Sequence, residues 1–262
     1  MVAATACAAS PDAQAPFAEL DDCLVLPAVG EYGRMPLHRD PVESLLVQGT
    51  WQTPAAGDTI NTTGDRTRSW RGETARNGQL DARSFRGGYV LWTVESPQEQ
   101  TLLLHAKGHA VVFVNGVPRA GDPYQLGWLR LPVLLRAGRN ELLFHVAGDE
   151  LSARLVYADC TTGLDAADAT FPTLVRGETE AVWGAVPVVN ATNEALFGAR
   201  IVCTHADGSS LATPLTVLPA ASVFKAPFQI PAPAQDADDH ATYSISLMRA
   251  AADGSTVDLQ EG

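Results

Sequence analysis

Hydrophobic and polar positions alternate in short runs along most of the chain, and turn residues close each run. Between Gly87 and Tyr157 the apolar runs are separated by Gly, Pro or Asn residues. Runs of this length and composition are typical of antiparallel strands joined by tight turns. Uninterrupted apolar stretches such as Leu102 to Leu104 indicate strands covered on both faces, as in a two-sheet sandwich. The segment therefore predicts an all-β fold.

Tight turns punctuate the predicted strands of this segment. Strands are predicted at Tyr89–Glu95 and Gln100–Ala106, and the residues between them include Pro97. Proline suits a turn and cannot donate to a central ladder, so we expect these two strands to pair as a hairpin. Val111–Val114 then reaches Asn115-Gly116, a strong hairpin signal because both residues tolerate positive φ. Further strands are predicted at Trp128–Leu131, Glu141–Val146 and Ala153–Tyr157.

One longer pattern combines a strand ending in Asn-Gly, a loop, a short apolar strand and a second turn into another strand. Its residues are Val112–Gly116 and Leu135–Phe144. The pattern resembles the jelly-roll of galactose-binding-like domains, which occur as accessory sugar-binding domains of family 2 glycoside hydrolases and ahead of secreted serine hydrolases. Because the matching residues are turn and core residues, the resemblance implies a fold rather than a particular ligand.

The length of 262 residues is sufficient for two sandwich domains, each with its own core. After Tyr157 the composition becomes small and polar, as in an interdomain linker. Beyond that point turns recur roughly every ten residues, which indicates an immunoglobulin-like or fibronectin-like sandwich. Its predicted elements include a strand at Pro214–Pro219, a strand with Tyr243, Ile245 and Leu247 on one face, and a final hairpin turn at 252–254. Near the amino terminus, Trp51 and Trp70 are expected to anchor an irregular segment by burial. We predict four segments: a lead-in packed on the first sandwich at 1–69, a jelly-roll at 70–160, a linker at 161–170 and a second β-sandwich at 171–262.

The charge of the chain excludes two classes of partner. The formal net charge is −12, with 18 basic and 30 acidic residues. A phosphate-binding surface needs clustered Lys and Arg, so neither a nucleic acid nor an anionic membrane is predicted as a partner. The sequence also contains no apolar run long enough to span a bilayer.

The amino terminus is small and apolar but lacks the charged region of an intact signal peptide. We expect a signal peptide to have been removed, which places the protein outside the cell or in the periplasm. Cys7 follows Ala and Thr, as at a bacterial lipoprotein cleavage site, but Ala4 stands where Leu is expected. The four cysteines show no metal-binding spacing. Cys7 and Cys23 either form a disulfide in an exported protein or remain free, buried thiols.

The common short signatures of hydrolases, metalloproteases and nucleotide-binding enzymes are missing from the sequence. His105 and His109 have the spacing of metal ligands on a helix, but in strands they are interpreted as ordinary sheet histidines, and neither a metal nor a cofactor is predicted. A glycosidase carboxylate pair cannot be identified here because separation in sequence does not give separation in space.

The stretch from Arg119 to Trp128 has the most site-like composition. It combines one Arg, one Asp and two aromatic residues within a glycine-bounded loop. Sugar sites place an aromatic face against the C–H surface of the ring and polar groups against its hydroxyls. Alternatively the loop packs on itself, with an internal Arg–Asp ion pair, or contacts another domain. The candidate residues for ligand binding or interdomain contact are Arg119, Asp122, Tyr124, Gln125 and Trp128.

Three functions fit these features. The favoured one is a non-catalytic accessory region of a larger exported hydrolase, whose partner is a catalytic domain of the same longer chain beyond Gly262. The second is a free-standing carbohydrate-binding module, and the third is a hydrolase with no recognisable motif. In the favoured interpretation this chain by itself is not an enzyme.

Overall fold

The structure is a computed structural model that describes residues 2–4, 16–31, 39–64, 66–158, 160–175, 177, 179–232, 242–250 and 256–258. Strands joined by short turns dominate these residues, which confirms the all-β prediction. The strands are β1 Val2–Ala4, β2 Ala18–Glu19, β3 Asp22–Leu26, β4 Thr59–Asn61, β5 Thr67–Ser69, β6 Arg71–Thr74, β7 Gln79–Asp81, β8 Tyr89–Ser96, β9 Gln100–Lys107, β10 His109–Val114, β11 Val117–Ala120, β12 Arg130–Leu135, β13 Gly138–Val146, β14 Glu150–Val156, β15 Thr162–Leu164, β16 Val182–Asn190, β17 Ala199–His205, β18 Ser210–Pro214, β19 Ser222–Ile230, β20 Tyr243–Ala250 and β21 Thr256–Asp258. The helices are α1 Pro41–Val47 and two short 3₁₀ helices, Arg83–Phe85 and Ala166–Asp168. Among the described residues, no helix has the length and apolar character needed to cross a membrane.

The first sandwich consists of two facing sheets. One has the strand order β11-β10-β13-β8-β3-β6, and the other has the order β12-β9-β14-β2 with β7 beside β14. Successive side chains in a strand point to opposite faces, so alternate apolar residues of both sheets meet in one core. Trp92, Phe144 and Leu104 are among the core residues, each at most 1% exposed.

Strands β8 and β9 do not form the predicted hairpin. β8 pairs with β13 and β3, whereas β9 pairs with β12 and β14 in the opposite sheet. The connection around Pro97 therefore crosses from one sheet to the other. Both strands point their apolar residues into the same core from opposite sides, and this burial outweighs the local preference for pairing sequential strands.

The predicted turn at Asn115-Gly116 is confirmed. Both residues have positive φ, 49° and 83°, and they connect β10 to β11 as a hairpin. The Asn115 side chain donates to the buried Asn140 Oδ1 at 2.9 Å. Asn140 in turn donates to the carbonyls of Arg136 and Gly138, each within 2.9 Å. One buried amide thus joins the two turns of the motif on which the jelly-roll resemblance depends.

The segment 1–69 is not only an irregular lead-in, because it contributes β2 and β3 to the two sheets of the first sandwich. Asp40 caps α1 by accepting from the backbone N–H of Val42 at 2.7 Å, and Pro41 occupies the first turn, where its missing N–H costs nothing. Trp70 is 2% exposed and Trp51 stacks edge-on against it, as expected for anchors. Both belong to a second apolar cluster on the outer face of the six-stranded sheet.

The second half contains a further pair of sheets, with strand orders β1-β20-β17-β18 and β15-β16-β19 and with β21 beside β20. The amino-terminal strand β1 pairs with β20 in parallel, so this part of the predicted lead-in joins the second sandwich and not the first. Tyr243, Ile245 and Leu247 share one buried face of β20, as the alternation predicts. The strand expected at Pro214–Pro219 is shifted, because β18 ends at Pro214 and forms its ladder with β17. The hairpin turn predicted at 252–254 lies outside the described residues.

The predicted linker at 161–170 contains structure that a linker lacks. Thr162–Leu164 pairs with Val188–Asn190 of β16, and all three of its residues are buried. Val223 of β19 also packs against the core of the first sandwich. The small, polar composition indicated exposed backbone, but ladder hydrogen bonds and the adjoining core bury this segment.

Candidate functional site

The loop between β11 and β12, residues 121–129 and hereafter the crevice loop, is organised around Asp122. Its carboxylate is 6% exposed and accepts from the backbone N–H groups of Leu126 at 3.1 Å and Gly127 at 2.6 Å. The N–H of Gln125 also donates to the Asp122 carbonyl at 3.1 Å. Gln125 and Gly127 both adopt positive φ. The backbone N–H groups of this irregular loop have no neighbouring strand to bond to, and the buried Asp122 side chain accepts their hydrogen bonds instead.

Close contacts fix the start and the middle of the crevice loop. A Cβ on Gly121 would lie 2.3 Å from the Ala110 carbonyl oxygen, so only glycine fits at the start of the loop. The amide of Gln125 lies over Gly148, where a Cβ would be 2.7 Å from Gln125 Nε2. Gln125 therefore covers the turn after β13.

Arg119 joins the two halves of the molecule. Its guanidinium donates to the carbonyl oxygen of Ala221 at 2.6 Å, and partial burial lowers its pKa from the usual value. Ala221 itself has positive φ, 44°, in the turn before β19. The internal ion pair considered for Arg119 and Asp122 is absent from the described residues, because each side chain bonds to backbone groups elsewhere.

Between the crevice loop and β19 lies a crevice of about 330 Å³. Leu126 and Trp128 line it on the first half, and Phe224 and Lys225 line it on the second. Trp128 is 47% exposed because β12 begins at Arg130, two residues later than the predicted strand. Tyr124 at the tip of the loop is 83% exposed. The aromatic side chains are therefore on the surface, not in a core.

Three carboxylates line this crevice, and each is engaged by a structural partner. Asp122 holds the loop, Asp165 lies 3.5 Å from the Arg130 guanidinium, and Asp168 accepts from the Lys225 ammonium at 2.8 Å. Asp165 also accepts from the Ala167 N–H at 3.0 Å. A glycosidase needs two carboxylates with unequal proton affinities facing a common bond. The three crevice carboxylates instead bond to loop backbone and to basic side chains, which is typical of a structural junction between two sandwiches.

The structure brings together some of the candidate residues and separates others. Asp122 and Trp128 line the crevice, Gln125 covers Gly148, and Arg119 holds the second half. Sequence analysis missed the residues that complete the crevice, namely Arg130, Asp165, Asp168, Phe224 and Lys225. No local signal marks them, because Asp165 and Asp168 come from the expected linker, Phe224 and Lys225 come from a strand of the other sandwich, and Arg130 lies in a strand of the first sandwich just after the loop.

The histidines and cysteines that the structure describes lie apart from one another. His105 and His109 belong to strands of opposite sheets of the first sandwich. Among the described residues, no group of His, Cys, Asp or Glu side chains could hold a metal ion. Cys23 and Cys203 are free and buried, and burial raises their thiol pKa values to about 12 and about 11. Cys23 is therefore not paired with Cys7, which lies outside the described residues, whereas Cys160 is disulfide-bonded.

No family model and no curated protein matches the chain. Among solved structures it is similar to a GH2 β-galacturonidase from Eisenbergiella tayi bound to glycerol, with 16% identity and a TM-score of 0.36 over 74% of this chain and 39% of that chain. For the Bifidobacterium dentium β-glucuronidase complexed with coumarin-3-O-glucuronide, the identity is 11% and the TM-score is 0.32, over 93% of this chain and 48% of that chain. For a calcium-binding mutant of Bacteroides uniformis β-glucuronidase 2, the identity is 12% and the TM-score is 0.29, over 88% of this chain and 32% of that chain. The chain spans less than half the length of each of these proteins.

Proposed function

We propose that this chain is a non-catalytic accessory β-sandwich region of a larger exported hydrolase, and that it positions or stabilises a catalytic domain of the same polypeptide beyond Gly262. The observation that carries the proposal is an exposed apolar surface at the junction of the two halves. Leu126, Trp128 and Phe224, which are 52%, 47% and 37% exposed, line the crevice together, and Tyr124 in the same loop is 83% exposed. These four residues are hereafter the junction surface. Contiguous exposed apolar residues rimmed by polar groups are typical of interaction surfaces.

The junction surface is supported by a rigid base, as a docking surface requires. Asp122 fixes the crevice loop from within, and Arg119 attaches the neighbouring strand to the second sandwich. Because these contacts already exist within the chain, little conformational entropy is lost when a partner binds. Aromatic residues on such a base are the usual centres of interface binding energy.

The hydrolase class and the export of the chain have separate support. The assignment to a hydrolase is supported by the resemblance of the Asn-Gly hairpin and the turn before β13 to accessory jelly-rolls. Asn140 joins these two turns in the structure. Export is supported by the disulfide of Cys160, because disulfides persist mainly in oxidising compartments.

A carbohydrate at the crevice is the second candidate, since Trp128 offers an exposed ring beside the Lys225 and Asp168 pair. Docking is favoured because both charges of that pair already neutralise each other at 2.8 Å. The three crevice carboxylates are likewise engaged, so an unrecognised hydrolase site there is the least supported of the three functions.

The substitution Trp128→Ala tests the proposal in two proteins, this chain and the product of the reading frame extended past Gly262. In this chain we expect the melting temperature to be almost unchanged, since about half of the indole is already in water. In the longer protein we expect lower stability or hydrolase activity. Val47→Ala serves as the control, because Val47 is 87% exposed on α1, outside the junction surface.

Two results would contradict docking. If Trp128→Ala leaves both stability and activity of the longer protein unchanged, the junction surface does not contact a catalytic domain. If oligosaccharides bind this chain in calorimetry and Trp128→Ala abolishes that binding, the crevice is a sugar site.

A further inference from the structure

Asparagine is followed by glycine at two positions of the chain, Asn77-Gly78 and Asn115-Gly116. Both pairs form the same kind of two-residue turn. The two asparagines have φ of 51° and 49°, and the two glycines have φ of 70° and 83°. The first turn joins Arg76 to Gln79, whose backbone groups exchange hydrogen bonds of 2.8 and 3.0 Å. The backbone conformation therefore does not distinguish the two pairs, and a difference in their chemistry must come from their surroundings.

An asparagine that precedes glycine can react with its own main chain. The glycine nitrogen attacks the asparagine Cγ, the Cγ–Nδ2 bond breaks, and Nδ2 leaves as ammonia with the proton of the glycine N–H. Water then opens the resulting five-membered imide. Opening at Cγ gives aspartate, and opening at the main-chain carbonyl carbon gives isoaspartate, so the net change is the gain of water and the loss of ammonia. Glycine favours the attack because it has no side chain to obstruct the close approach.

The reacting groups of the first pair are free. Asn77 is exposed, and both residues line a surface cavity of about 290 Å³. Across the described part of the chain, neither the Asn77 side-chain amide nor the Gly78 N–H has a hydrogen-bond partner. The Gly78 carbonyl accepts from the Ala153 N–H at 3.1 Å, but that bond restrains the next peptide group and not the nitrogen that attacks. The atoms that react are thus unrestrained and accessible to water.

Side-chain hydrogen bonds hold the second pair. The Asn115 amide donates to Asn140 Oδ1 at 2.9 Å, and its oxygen accepts from the Glu141 N–H at 3.0 Å. Both bonds have to break before Cγ can turn towards the Gly116 nitrogen. Losing two hydrogen bonds of ordinary strength lowers the reactive population by roughly tenfold to a hundredfold. The structure therefore protects one Asn-Gly pair and leaves the other open to reaction.

We propose that Asn77 is a site of spontaneous conversion to aspartate and isoaspartate, and that Asn115 is protected from the same reaction by its side-chain bonds. The conversion needs only water, and it adds one negative charge to a chain whose formal net charge is already −12. Attack requires loss of the glycine N–H proton, so the rate rises with pH. The proposal is independent of the accessory function, because no residue of the junction surface takes part in it.

Conversion to isoaspartate has a consequence for the first sandwich. Isoaspartate adds one carbon atom to the main chain, which a two-residue turn with both φ values positive cannot accommodate. The bonds between Arg76 and Gln79 should therefore weaken. Leu80 follows in β7, where it lies opposite Leu151 of β14 and is 6% exposed in the first core. We expect conversion at residue 77 to loosen β7 and to lower the stability of this sandwich.

Peptide mapping of this chain after incubation at physiological temperature tests the proposal. Trypsin separates the two sites into the peptides 77–83 and 108–119, and conversion changes the peptide mass by the difference between an amino and a hydroxyl group. The folded chain should convert Asn77 at least about tenfold faster than Asn115. Both rates should rise from neutral to mildly alkaline pH. The chain unfolded in urea is the reference, in which both pairs should convert at similar rates.

Two variants assign the loss of stability. Asn77→Gly removes the reacting amide and keeps a residue pair that suits the turn, so its melting temperature should not fall during incubation, whereas that of the unmodified chain should. Asn115→Gly is the matched control. It starts less stable because it lacks the bonds to Asn140 and Glu141, but incubation should lower its melting temperature by as much as in the unmodified chain.

Four results would overturn the proposal. The first two are rates in the folded chain that differ by less than about tenfold, or faster conversion of Asn115. The third is no conversion of the folded chain during the time in which the urea-unfolded chain converts both sites. The fourth is an equal fall in melting temperature for Asn77→Gly and the unmodified chain, which would assign the loss of stability to another residue.

Discussion

Acid should destabilise the first sandwich through His109. This side chain is 1% exposed and lies edge-on against Phe144, with ring centroids 5.3 Å apart. Neither ring nitrogen has a hydrogen-bond partner among the described residues. Burial lowers the pKa of His109 to about 4, and the nearby Asp122 carboxylate opposes this shift only in part. The folded state therefore favours the neutral imidazole.

The size and the sign of the effect follow from that pKa. An exposed histidine in the unfolded chain has a pKa of about 6.5, so the unfolded state takes up its proton first as the pH falls. The stabilisation is complete above about pH 6.5, declines as the pH falls and is lost below about pH 4, at a total cost of about 3 kcal/mol. Burial also lowers the pKa of His145, so that residue acts in the same direction.

Urea unfolding at a series of pH values between 7.5 and 4 measures this dependence, with tryptophan fluorescence as the probe. We expect His109→Leu to flatten the decline in the free energy of unfolding below about pH 6.5. Val112→Ala, a buried neighbour on β10 that does not titrate, should lower stability by the same amount at every pH. If His109→Leu retains the full decline of the unmodified chain, then protonation of His109 is not its cause.

Two further predictions concern the core and the boundary between the halves. Phe144→Ala should lower the free energy of unfolding by about 3–5 kcal/mol, since the ring is 0% exposed between the two sheets. Tyr124→Ala is the exposed control and should change that free energy by less than about 0.5 kcal/mol. Equal effects of the two substitutions in thermal melts would contradict the assigned core. Limited proteolysis with subtilisin should cut first between Phe171 and Ala181, because the described residues there include no strand and most are exposed. A first cut within Thr162–Leu164 would show that β15 is not stably paired.

Local patterns were sufficient wherever local physics decides the structure. The positive φ of Asn115 and Gly116 follows from the tolerance of these two residue types, and the hairpin they close is confirmed. The buried face of β20 follows from simple alternation of apolar residues. The composition of 119–128 predicted a loop for ligand binding or interdomain contact, but it did not reveal that Asp122 would bond to the backbone and Arg119 to the other sandwich.

The sequence by itself determined that the chain consists of strands, where those between Tyr89 and Tyr157 lie, and that it carries no common enzymatic signature. Only the tertiary structure decided which strands pair, because β8 and β9 are adjacent in the chain but reach the same core from opposite sheets. It also decided that Thr162–Leu164 is a strand and that Phe224 and Lys225 face the crevice loop. These features depend on contacts between residues far apart in sequence, whose energy comes from burial and from ladder hydrogen bonds, and no local pattern encodes them.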